Sequence, residues 1–108
     1  MFNVIPLILT LASPAPAPAV QMADEQMLCA SLTRFAEAVM ESRQSGIPIS
    51  MALTPAPDDN PAGKFMRKMI LDAYMSPRFT AESVQQEAIK DFRDNAETAC
   101  YMAMEARK

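Results

Sequence analysis

Histidine and tryptophan are absent from this 108-residue chain, glycine and cysteine occur twice each, and aromatic residues make up only 6% of it. Without histidine, Ser-His-Asp and Cys-His catalytic arrangements and imidazole metal sites have no starting point. The two glycines, Gly46 and Gly63, are isolated, so no phosphate-cradling G-x-x-x-x-G-K or G-x-G loop exists. Ser42, Ser45 and Ser83 lack the surroundings of a Ser-Lys pair. Nor is there a positive excess: ten Lys plus Arg face thirteen Asp plus Glu, a net charge of -3, which argues against nucleic acid as a partner. The cysteines form no C-x-x-C, so a thioredoxin-like redox site has no support. These absences predict a protein that is not an enzyme and uses no cofactor.

What is present begins with a short apolar run, residues 4–12 (VIPLILTLA). A bilayer needs about 20 apolar residues in a helix, so this run reads as the core of a secretory leader and not as a transmembrane segment. The Ala/Pro stretch after it ends in Ala17-Pro18-Ala19, an A-x-A pattern, and predicts residues 1–19 as signal peptide and 20–108 as one small helical domain. The competing reading is a disordered Ala/Pro arm on a cytosolic protein. Gln26-Met27-Leu28 before Cys29 does not match a lipoprotein signal, so the expected product is soluble, periplasmic or secreted, with no transmembrane segment in the mature chain.

Periodicity predicts an all-α fold of three main helices and a short helical turn. Over residues 24–45, Leu28, Leu32, Phe35 and Val39 mark one face, and Thr33, Arg34, Glu37 and Glu41 the other. Gly46 is placed to end this helix, with Ile47 as the apolar contact of a Schellman stop. Ser50 is placed to cap a short turn through Met51, Ala52 and Leu53, after which residues 54–59 read as loop. Asn60-Pro61 announces a helix over 61–75 whose apolar face carries Phe65, Met66, Met69, Ile70, Ala73 and Tyr74. Ser76 before Pro77 stops it. Thr80 is placed to cap a last helix over 81–107, which turns Ala88, Ile89, Phe92, Ala96, Ala99, Cys100 and Ala103 to one side.

Export and an even cysteine count favour a Cys29–Cys100 disulfide, against the alternative of two separate buried thiols. Were the first and last helices parallel, those cysteines would stand about 20 Å apart, beyond the roughly 7 Å Cα separation a disulfide spans. A disulfide therefore requires the two helices to be antiparallel neighbours, with the short turn and the middle helix packed across them.

Three stretches, Ala38-Val39-Met40-Glu41-Ser42-Arg43-Gln44-Ser45-Gly46, Ile70-Leu71-Asp72-Ala73-Tyr74 with Pro77, and residues 88–92 before Cys100, resemble small secreted helical proteins of proteobacteria and their phages. The resemblance implies export and a disulfide-tied helical fold, and no particular activity.

For function, the carboxylate pairs Glu37/Glu41 and Asp91/Asp94 fall on outer faces beside Arg or Lys and read as solvated surface. Lys64, Arg67 and Lys68, with Arg78 close behind, form a candidate patch for an unknown protein partner or envelope component. Tyr101 and Met104 are a second candidate surface. The ten methionines include Met66 and Met69 in M-x-x-M spacing, the alternative of a Cu(I) or Ag(I) carrier, beside the reading of methionine as gap filler in the core. The expectation is an exported non-catalytic binding protein, such as an inhibitor or accessory subunit of an envelope protein; a periplasmic stress chaperone is the remaining alternative.

Overall fold

A computed structural model describes the backbone of residues 17–107 and the side chains of residues 24–107. Among these residues there are four helices and no strand: α1 (Ala17–Gln44), α2 (Ile49–Leu53), α3 (Pro61–Tyr74) and α4 (Glu82–Ala106). The boundaries of α3 and α4 meet the expected ones to within a residue. α1 begins earlier than residue 24, at Ala17, and so takes in residues 17–19 expected to close the leader. The reason is local: Gln21, Met22 and Ala23 are adequate helix formers, and Pro18 falls in the first turn, where a missing N–H breaks no helical bond. The apolar run 4–12 and the rest of the expected leader lie outside the described residues.

Two helix ends are formed by the residues the sequence marks for them. Gly46 has φ 86°, its N–H donates to the Arg43 carbonyl, and the Ile47 N–H reaches back to the Ser42 carbonyl, which is the paired bonding of a Schellman stop. The Asn60 side chain accepts from the Gly63 N–H at 2.7 Å, with Pro61 as the first helical residue. Two other caps differ from expectation. Ser50 lies inside α2, which starts after Pro48, and the Ser50 carbonyl accepts from the Thr54 hydroxyl. α4 starts after Ala81 and not Thr80, with no side-chain cap; its entry is fixed instead by Gln85, whose amide donates to the Phe79 carbonyl.

Helices α1 and α4 make the closest pairing and run antiparallel. Cys29 and Cys100 are joined by a disulfide, with 5.6 Å between their Cα atoms. Further along the same seam Arg93 meets Glu37 at 3.2 Å. α3 lies against α1, and its C-terminal Tyr74 hydroxyl donates to the Ile47 carbonyl at the end of α1. The core gathers Val39, Met40, Ala56, Ile70, Ala73 and Ile89, with Phe35, Met66, Tyr74 and Phe92 packed around it. Fully burying a side chain such as Ile70 or Met40 contributes about 2 kcal/mol. The buried stripe of α1 is rotated from the expected one: Cys29, Ala36 and Met40 are covered, whereas Leu28 is 46% exposed. The disulfide turns the Cys29 side of the helix toward α4 and leaves Leu28 beside the seam.

Gly63 allows the start of α3 to touch the preceding loop. A Cβ at this position would collide with the carbonyl of Pro57, a backbone group that no side-chain rotation can move. Gly63→Ala is therefore expected to lower the unfolding free energy by about 2 kcal/mol despite its better helix propensity. A urea titration checks this, and an alanine variant as stable as the parent would contradict the close approach.

The C-terminal end of α1 is tied to residues 74–79 by polar contacts. The Gln44 side chain, 3% exposed, donates to the Pro77 carbonyl at 2.9 Å and accepts from the Phe79 N–H at 2.9 Å. Arg43 donates through Nε to the Ser76 carbonyl, and its guanidinium stands 5.3 Å from the centre of the Tyr74 ring. Arg78 donates through Nε to the Gln44 carbonyl at 3.0 Å, a cation set on the negative end of the α1 dipole.

Candidate functional site

α3 lies on α1 but stands off from α4, and this leaves a groove of about 470 Å³ between them. Phe65 and Met69 line the α3 wall; Phe92, Ala96, Ala99, Ala103 and Met104 line the α4 wall; Leu32 and Cys100 lie in the groove between them. Polar groups are confined to Lys68, Asp72 and Asn95. Lys68 and Asp72 satisfy each other at 3.1 Å, an exposed pair worth at most about 1 kcal/mol. The groove is thus an apolar trough with a nearly neutral lip.

Several residues of the expected core line this opening. Ala99 and Ala103 follow the apolar spacing of α4 yet remain exposed, and Phe65 is 47% exposed. Their faces point toward the place a neighbouring helix would fill, and α3 does not fill it. The sequence marks the residues as apolar; it carries no sign that α3 sits on α1 and α2 and stands off from α4.

The expected cationic patch is divided. Lys64, Arg67 and Lys68 share α3, with Lys68 at the groove lip and Arg67 half-buried. Arg78 stands at the end of α1, held by the Gln44 carbonyl. Met66 packs on the core and Met69 is 8% exposed in the groove wall, so both thioethers take part in packing. Tyr101 and Met104 do not share a surface: Met104 lines the groove, whereas Tyr101 lies beside Glu97, Thr98, Met102 and Glu105 on another side of α4.

The carboxylates read as solvated surface include one with a structural task. Glu37 reaches Arg93 across the α1–α4 seam, and Arg93 also bonds Asp94, which Lys90 contacts at 3.0 Å. The hydrogen bond from Lys90, and next that from Arg93, hold the Asp94 carboxyl below the usual carboxylate range. Burial raises the Tyr74 phenol above its ordinary value, opposed by the nearby Arg43 charge. Neither shift creates a reactive group. Among the described residues no cluster of three His, Cys, Asp or Glu side chains is placed to hold a metal, and no helix is long and apolar enough to cross a membrane.

No family model, curated protein or solved structure matches this chain. The functional reading accordingly rests on its own residues.

Proposed function

We propose that this is an exported, non-catalytic binding protein whose groove between α3 and α4 receives an amphipathic helix of an envelope protein, as an inhibitor or accessory subunit would. The observation that carries the reading is the open place in the bundle. α1 has α3 and α4 as neighbours, and a helix laid between α3 and α4, opposite α1, would complete a four-helix arrangement. Ala96, Ala99 and Ala103 let another backbone approach closely, and the flanking Phe65 and Phe92 supply aromatic surface of the kind that dominates binding energies. The nearly neutral lip suits a partner chosen by apolar shape more than by charge. Export is supported by the leader-like residues 1–19, by the resemblance to small secreted helical proteins, and by the disulfide, which persists in oxidising compartments.

The test places a photoreactive residue at Ala99, or at Met102 on another side of α4, and irradiates cells that express the chain. The expected result is a protein adduct from position 99, mapping to a helical segment of the partner, and none from position 102. Ala99→Trp, which fills the groove at an exposed position, should abolish capture of that same partner without lowering the melting temperature. Adducts to lipid alone, or equal adducts from both positions, would overturn the reading.

A further inference from the structure

A second recess, of about 420 Å³, lies at the C-terminal end of α1, away from the disulfide at mid-helix, lined by Arg43, Gly46, Ile47, Pro48, Ile49, Tyr74 and Arg78. Each arginine donates through Nε to a backbone carbonyl, Arg43 to that of Ser76 and Arg78 to that of Gln44, and the Arg43 guanidinium also rests 5.3 Å from the centre of the Tyr74 ring. Their terminal amino groups, four in all, bond no acceptor among the described residues, and no carboxylate lines the recess. Gly46 allows the arrangement: a Cβ there would come within 2.9 Å of the Arg78 guanidinium. The α1 C-terminus contributes about half a negative charge, and the two guanidinium groups outweigh it. Fixed forks of this kind match the oxygen pairs of carboxylates and phosphates.

From this geometry we infer that the recess at the end of α1 is an oxyanion site, in which Arg43 and Arg78 together hold a carboxylate or phosphate group, with Ile47 and Pro48 against the body of the ligand. The site is separate from the groove and stands whether or not the groove binds a helix. Anchoring through Nε orders both side chains before a ligand arrives, so little rotamer entropy remains to be lost on binding.

Titration of the oxidised protein with inorganic phosphate and, separately, with propionate, followed by NMR of backbone amides and arginine Nε–H groups, tests the inference. Sodium chloride at matched ionic strength provides the reference for screening. Saturable shifts in the millimolar range, confined to Gly46, Ile47 and the Nε–H groups of Arg43 and Arg78, are expected with at least one anion; which one saturates identifies the preferred oxyanion. Pro48→Glu sets a carboxylate at the rim, where the start of α2 tolerates it, and should weaken binding at least tenfold while leaving the helical spectrum unchanged. Shifts that rise linearly, or that match those in chloride, would overturn the site from the wild-type protein alone. Binding undiminished in Pro48→Glu would overturn it as well.

Discussion

Reduction of the Cys29–Cys100 disulfide is expected to lower the unfolding free energy by about 4 kcal/mol, the largest single effect in the molecule. The bond joins residues 71 apart in sequence, and in the chain-entropy treatment a closed loop of that size removes about 4 kcal/mol of freedom from the unfolded chain. Small domains are commonly stable by 5 to 15 kcal/mol, so the loss approaches the whole margin at the lower end. Both sulfurs are sheltered, with Cys29 fully buried and Cys100 8% exposed, so the native bond should resist mild reductant until the helices part. Urea titrations of the oxidised protein and of the protein held in excess reductant check the magnitude. A difference under about 1 kcal/mol would show that other contacts fix the α1–α4 pairing.

Gln44→Leu should cost about 3 kcal/mol, although leucine is apolar, similar in length and at home in a helix. Among the described residues Gln44 is the one polar side chain that is buried, and its amide serves two backbone groups at once, the Pro77 carbonyl and the Phe79 N–H. Leucine would leave both unpaired, and an unsatisfied group costs about 1 to 3 kcal/mol according to how well water reaches it. Gln44→Glu separates the two bonds. Its carboxylate still accepts from Phe79 but faces the Pro77 carbonyl without a proton to donate, and protonation restores the donor. Here the folded state favours the protonated acid, so the folded pKa is raised. Stability is then present below the ordinary glutamate value of about 4.3 and lost as pH rises through the higher folded one. The deficit of Gln44→Glu relative to the parent should shrink on acidification, read from melting temperatures between pH 3 and 7. A deficit that does not change with pH would mean that the Pro77 contact contributes nothing.

The features legible in the sequence are those written in adjacent residues. Gly46 with Ile47, and Asn60 with Pro61, carry their end signals within three or four positions, and both ends form as read. The antiparallel placing of α1 and α4 was legible for another reason: two cysteines set limits on distance that periodicity cannot. Gln44 and Arg78 were opaque because their partners lie 33 to 35 residues away, and nothing in a lone glutamine announces a buried amide. The groove was half legible. Ala99 and Ala103 declared an apolar face, but the lean of α3 toward α1 is decided by packing across the whole core.

The 71-residue span between the cysteines also sets the order of events when the chain is made. At roughly 5 to 20 residues per second of synthesis, the first thiol emerges several seconds before its mate exists. During that interval it is open to mixed disulfides with small thiols or with other nascent chains. The bond therefore cannot close until Cys100 has been made, and an oxidant acting before then would trap Cys29 with the wrong partner.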